Sequence, residues 1–226
     1  NVSESQDRYL SIVCHHIAFD GWSSGIFVKE LETFYNYYEQ IDEAQKADLI
    51  LPNLPIQYKD FALWQRNYLS GVTLEKQLSY WRSQLINYEA LNLPTDYNRP
   101  KEIDYRGADV YFEIDEKVSA GLRSLAKELK VSLYSLLLSG YYLLLRAYSN
   151  QDDIVIGSPI ANRHYSQIEN LIGFFVNTLA LRCTIKSDLL LCDFIKMVRH
   201  NQVIHIDISS HFGSDIYFSR KYTEAR

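Results

Sequence analysis

Residues 14–23 read Cys14-His15-His16-Ile17-Ala18-Phe19-Asp20-Gly21-Trp22-Ser23, two adjacent imidazoles with a carboxylate and a glycine four and five residues after the second. The stretch stands where one periodicity gives way to another. Before it, Tyr9 to Cys14 has the aromatic and β-branched composition of a strand. After it, Ile26, Phe27, Leu31, Phe34, Tyr35 and Tyr38 recur at three-and-four spacing, which predicts an amphipathic helix over 24–38 with Ser23 or Ser24 as N-cap. Functional groups often sit at such junctions. Neighbouring residues on a strand point to opposite faces, so only one of His15 and His16 faces a given cleft while the other is tied into packing or backbone hydrogen bonds. Asp20-Gly21 predicts a tight turn in which glycine permits a conformation or close approach that a side chain would block.

Further along, the polar stretch 39–48 and Leu51-Pro52-Asn53-Leu54-Pro55 predict a surface loop. Helices are predicted over 58–69 and 74–86, with Phe61, Trp64, Tyr68, Leu78, Trp81 and Leu85 as their buried stripe. Residues 91–106, with Pro94, Asp96, Asn98 and Pro100, lack either periodicity and are the expected domain boundary. Beyond it the pattern predicts a half-buried strand over 108–114, a helix over 116–129, a central buried helix over 132–148, a strand over 153–157 and an apolar run over 174–181. Strands alternating with helices mean an α/β arrangement.

Composition bounds the function. The chain has 226 residues, 47% of them hydrophobic, with 18 Tyr against 9 Gly and 5 Pro, the profile of a packed globular protein. A net charge of −5 and a pI near 5.7 argue against nucleic-acid or anionic-membrane partners, which call for a basic face. No apolar run reaches the ~18 residues of a transmembrane helix, and residues 1–5 lack the layout of a signal peptide, so a cytoplasmic protein is expected. Cys14, Cys183 and Cys192, odd in number and without metal-type spacing, suit a reducing compartment and ordinary buried thiols. The chain opens without Met and enters a strand pattern almost at once, so a fragment of a longer protein, or a gene remnant, is expected.

From the residues alone, three readings of 15–21 stand side by side. It is a satisfied histidine pair beside a turn, a metal site, or a general base. The metal reading lacks a spaced third Cys, His or Glu ligand, so no metal is expected. A neutral imidazole near pH 7 suits general-base work. Tyr58, Phe61, Trp64 and Trp81 could form a binding platform, but at helical spacing they are taken as core.

Four segments taken together extend the reading. They are His15 to Ser23; Tyr58-Lys59-Asp60-Phe61-Ala62-Leu63-Trp64-Gln65-Arg66; Asp152-Asp153-Ile154-Val155-Ile156-Gly157-Ser158-Pro159-Ile160-Ala161-Asn162-Arg163; and Ile172-Gly173-Phe174-Phe175-Val176-Asn177-Thr178. In this order and spacing the chain resembles the condensation domains of nonribosomal peptide synthetases. The resemblance implies part of a two-lobed chloramphenicol-acetyltransferase-like fold, with mixed sheets flanked by helices, and amide-bond formation between carrier-protein-bound aminoacyl or peptidyl thioesters. Residues 1–95 would be a remnant of the first lobe, 96–200 a partial second lobe and 201–226 an atypical tail.

By that resemblance His16 is the catalytic histidine, orienting or deprotonating the acceptor amine or stabilising the tetrahedral intermediate. His15, Asp20 and Gly21 support it, and Trp22, Ser23 and Asn177 are candidate tunnel-lining residues. The implied partners are carrier proteins, whose phosphopantetheine arms bring the substrates, and an adjacent adenylation domain. No cofactor bound by the chain itself is implied. The arginine expected to pair with Asp20 belongs to a motif upstream of the histidines, and only 14 residues precede His15, so Asp20 is expected to lack it. The rival readings are an inactive remnant or carrier-protein interaction module, and an epimerisation domain, which shares the histidine core but not the Gly21-Trp22-Ser23 continuation.

Overall fold

The structure is a computed structural model that describes residues 9–40, 49, 51–98, 100–102 and 105–208. A 3₁₀ turn at His16–Ala18 leads into α1 (Gly21–Gln40); α2 (Tyr58–Tyr68), α3 (Gly71–Gln84), α4 (Glu116–Leu129) and α5 (Leu133–Ser149) follow. Then come β1 (Asp153–Ile160), the short α6 (Ser166–Glu169), β2 (Asn177–Thr184) and α7 (Leu191–Ile208). The mixture of helix and sheet agrees with the α/β expectation. The chain divides into two compact units, 1–71 with 160–177 and 72–159 with 178–226.

Helix boundaries follow local chemistry. Asp115 caps α4 by accepting the Val118 N–H at 2.9 Å, and Lys130 closes it in the left-handed region at φ 55°. Ser132 caps α5 by accepting the Ser135 N–H at 3.0 Å, and Asn150 ends it at φ 54°. The Asp60 carboxylate reaches back to the Gln57 N–H at 2.8 Å, fixing the start of α2. Helix α1 starts at Gly21, three residues before the expected start, because Asp20 and not Ser23 or Ser24 supplies the cap: its Oδ1 accepts the Ser23 N–H at 2.8 Å.

In the second unit α5 packs against α4 and α7, and Tyr142 donates to the Leu181 carbonyl of β2 at 2.8 Å. Strands β1 and β2 form a two-stranded sheet. Arg182 near the end of β2 faces Asp153 at the start of β1, and Gly157 faces Thr178, so the pair runs antiparallel. Arg182 also donates to the Gln84 and Ile86 carbonyls, closing the end of α3. Trp81 is buried against His205 of α7. In the first unit Phe61, Ile168, Leu171 and Phe175 form a core with Leu54, Ile56 and Tyr58 at its margin.

Several expectations need correction. Residues 9–14 and 108–114 form no strand, because no described backbone pairs with them; Tyr9, Leu10, Val13, Val110, Tyr111 and Phe112 stand exposed. Helix α5 is not buried all round. Leu136, Leu138, Tyr142 and Leu145 face inward while Leu137, Tyr141, Leu144 and Tyr148 face solvent. The stripe of α1 is only partly covered, with Leu31, Tyr35 and Tyr38 exposed. Trp64 and Tyr68 are not core; they stack on each other at 5.1 Å at the surface.

Of the three free thiols, Cys183 is buried, Cys192 is partly so and Cys14 is exposed, against the expectation for Cys14. The predicted loop over 39–48 begins in α1, and its residues 41–48 lie outside the described residues. Helix α7 runs on without a break through 201–208, and the rest of the tail, 209–226, is likewise outside them. No helix among the described residues is long and apolar enough to cross a membrane.

Candidate active site

The turn at His16–Ala18 separates the two histidines by role. His15 is its cap: its Nδ1 accepts the Ile17 N–H at 3.1 Å, so a neutral His15 carries its proton on Nε2. The His16 ring lies on the exposed side and stands edge-on to Phe174, centroids 5.1 Å apart at 84°. The inequivalence expected of a strand is thus delivered by a turn.

Asp20 faces the other way and is 2% exposed. Its carboxylate accepts from the Ser23 N–H (2.8 Å), the Ser23 hydroxyl (2.7 Å), the Phe175 N–H (3.0 Å) and Arg163 Nη2 (3.1 and 3.4 Å). Burial alone would raise its pKa, but the bonds from Ser23 and Phe175 and the Arg163 charge outweigh it and hold the carboxyl below the usual range.

The expected upstream arginine is therefore not needed. Arg163, at the end of the third signature segment, fills the role, and its Nη1 donates to the Ile168 and Leu171 carbonyls at 2.6 and 2.7 Å. Its guanidinium lies 4.0 Å from the Phe175 ring centroid. The preceding Asn162 sits at φ 54°, the left-handed turn by which the chain leaves β1. In the sequence Arg163 is visible only as the last residue of the third signature segment, and nothing there marks it as the partner of Asp20.

Ser23, fully buried, is a junction. Its hydroxyl oxygen accepts from Arg163 Nη2 and the Gly173 N–H, both at 3.1 Å, and has Asp20 Oδ1 at 2.7 Å and the Gly173 carbonyl at 3.0 Å as acceptors for its proton. Tyr58 of α2 donates to the Phe174 carbonyl at 2.8 Å, and its ring covers Gly173, where a Cβ would lie 2.3 Å from Tyr58 Cδ2. Glycine is obligatory there. At Gly21 a Cβ would meet nothing within 4 Å, so protein packing does not require that glycine and the space beside it is open.

Residues from all four segments thus meet: Asp20 and Ser23, Tyr58, Arg163, and Gly173 to Phe175. Trp22 is half exposed, with Nε1 donating to the Glu169 carbonyl at 3.0 Å. Asn177 opens β2 two residues beyond Phe175. Among the described residues no three His, Cys, Asp or Glu side chains gather as a metal site.

An α/β protein with an exposed imidazole on a turn braced by a buried ion pair describes a class; comparison with known proteins specifies it. A family model described as Condensation domain matches residues 2–208, and the chain belongs to that family. It is 41% identical over 190 residues to an N-(5-amino-5-carboxypentanoyl)-L-cysteinyl-D-valine synthase from Amycolatopsis lactamdurans, covering 84% of this chain and 5% of the synthase. It is 40% identical over 198 residues to bacitracin synthase 3 from Bacillus licheniformis, covering 87% of this chain and 3% of that synthase. The chain thus spans only a small part of the length of either relative.

Among solved structures, a four-domain nonribosomal peptide synthetase bound to AMP and glycine superposes with TM-score 0.74 at 28% identity, over 86% of this chain and 14% of that one. The X-domain from teicoplanin biosynthesis shares the fold at TM-score 0.75 and 22% identity, over 87% of this chain and 44% of its own. The expected condensation-domain fold is therefore correct. The family match extends through residue 208 and so takes in the end of α7.

Proposed function

We propose that this chain carries the active-site segment of a peptide-bond-forming condensation domain, with His16 as its catalytic residue. The amine of an acceptor attacks the carbonyl of a donor thioester; the C–N bond forms, the C–S bond breaks, and the proton lost by nitrogen ends on the departing sulfur. His16 is the group that orients or deprotonates the amine, or steadies the intermediate. Asp20 is too enclosed to meet substrate and holds the turn. Gly21, Trp22 and Asn177 border the substrate path, with His15 fixing the turn; Ser23, expected beside the path, is fully buried and belongs to the brace with Asp20.

One observation carries this reading: the four signature segments meet in a single hydrogen-bonded network, buried at Asp20, Ser23 and Arg163, that leaves the His16 ring on the accessible side. The substrates would arrive on the phosphopantetheine arms of carrier proteins, with an adenylation domain in the same assembly, in the cytoplasm. Residues 1–95 and 96–200 would belong to the two lobes and 201–226 to a tail. Gly21-Trp22-Ser23 favours condensation over epimerisation.

The test is amide formation between two loaded carrier proteins, compared with His16→Ala. Product from the wild type and loss with the variant supports the reading. Equal and negligible product favours the second reading, a non-catalytic carrier-protein interaction module, to which the exposed Val110, Tyr111 and Phe112 also point.

A further inference from the structure

We propose that Phe174 is a positioning residue for the His16 imidazole and that Tyr58 in turn holds Phe174; this rests on the catalytic reading of His16. The Phe174 ring is the aromatic surface against which His16 stands, 5.1 Å away and nearly perpendicular. A side chain on a free loop would present no fixed surface, but this loop is pinned on both sides of Phe174. Before it, the Gly173 N–H is bound by Ser23; after it, the Phe175 N–H is bound by Asp20. The Phe174 carbonyl is taken by the Tyr58 hydroxyl at 2.8 Å. The Tyr58 ring is itself wedged over Gly173 and perpendicular to Phe175 at 5.1 Å.

The second signature segment thereby fixes the orientation of the second histidine through one peptide carbonyl and one ring. Orientation is what a catalytic imidazole lacks when it projects from a surface turn. A reacting group displaced by about 1 Å can lose about 10²-fold in rate.

The experiment is NMR of the full chain with labelled histidine, in wild type, Phe174→Leu, Phe174→Tyr and Tyr58→Phe. Phe174 displaces the His16 ring-proton signals by its ring current. Phe174→Leu is expected to return them to free-imidazole positions, and Phe174→Tyr, which keeps an aromatic edge, to preserve the displacement. Tyr58→Phe, which keeps the ring over Gly173 and deletes only the hydroxyl, moves them part of the way while the Gly173 and Phe175 amides stay protected from exchange. The ring signals of His205 on α7 report that the chain remains folded.

His16 signals unmoved by Phe174→Leu, or unmoved by Tyr58→Phe, overturn the proposal. If Phe174→Leu melts the chain, Tyr58→Phe decides alone. In the condensation assay both substitutions lower kcat, by roughly tenfold, with KM unchanged. A wild-type chain that forms no amide sinks the catalytic reading and leaves the imidazole signals to decide the positioning.

Discussion

Asp20 and Arg163, 143 residues apart, form a buried ion pair, Nη2 to Oδ1 at 3.1 Å, with both side chains almost fully enclosed. Removing one partner strands a charge, which costs about 3–5 kcal/mol. Arg163→Met is expected to lose that much in urea unfolding, whereas Asp20→Asn with Arg163→Met loses less than the sum of the single changes. Additive losses would mean the two residues do not act as a pair. Arg163→Lys is expected to behave more like the methionine variant than like wild type, because one ammonium cannot reach Asp20, Ser23 and the carbonyls of Ile168 and Leu171 together.

Two glycines in the signature segments should respond in opposite ways. At Gly173 an added Cβ collides with Tyr58, so Gly173→Ala is expected to cost about 1–3 kcal/mol. At Gly21, in the first turn of α1, the space is open, and Gly21→Ala should leave thermal stability unchanged or raise it by up to about 1 kcal/mol. If Gly21→Ala nonetheless abolishes amide formation, the empty volume there is used by substrate.

Acid should weaken the fold in two stages. His205 is buried against Trp81 with its pKa pushed below 6.5, chiefly by burial. An unfolded chain takes up the proton near 6.5 and the folded chain resists, so stability is full above that pH and declines as the pH drops through the lowered folded value. Asp20, held below its ordinary 3.8, keeps its contribution until still lower pH, losing it as the pH falls through its own depressed value. Chemical denaturation across pH should show the upper stage vanish in His205→Asn and the lower stage shrink in Asp20→Asn.

Arg182 ties β2 to Asp153, to the last carbonyl of α3 at Gln84 and to the Ile86 carbonyl just beyond it. Arg182→Ala is expected to cost about 1.5–3 kcal/mol in a melt, the range for hydrogen bonds to charged groups, and a silent substitution would show those bonds to be redundant.

Among the trypsin sites in the described residues, limited digestion should cut first after Lys101 or Arg106. Residues 101–102 and 105–115 have no regular structure, and Tyr105 and Val110 to Phe112 stand exposed. First cleavage within α4 or α5 instead would contradict the boundary expected over 91–106.

Where local chemistry decides, the sequence was legible. Asp115 before a run of good helix formers, and Leu129 before a residue in the left-handed region, bracket α4 at the expected residues. Where a partner distant in sequence decides, it was not. Alternation over 108–114 reads as a strand, but a strand exists only when another backbone accepts its hydrogen bonds. The stripe of α5 was overestimated because hydropathy counts apolar residues and not the surfaces that cover them. In the site, spacing alone left the histidine pair open between a structural pair, a metal site and a general base, and only the family resemblance singled out His16; Arg163 as the partner of Asp20 was not legible at all, since 143 residues of intervening chain carry no marker of that pairing. Trp64 shows the same limit, as helical spacing placed it in a stripe of which only Phe61, Leu78, Trp81 and Leu85 are buried.

The Ser23 hydroxyl, with two donors pointing in and two acceptors for its single proton, has the coordination of an ordered water molecule. Here the water equivalent is covalently tethered. It cannot exchange with bulk solvent, and fixing it on folding stills one side-chain rotor where a free water would surrender translation and rotation. Its proton can still hop between the Asp20 carboxylate and the Gly173 carbonyl by rotation about one bond, leaving a single soft degree of freedom inside an otherwise rigid brace.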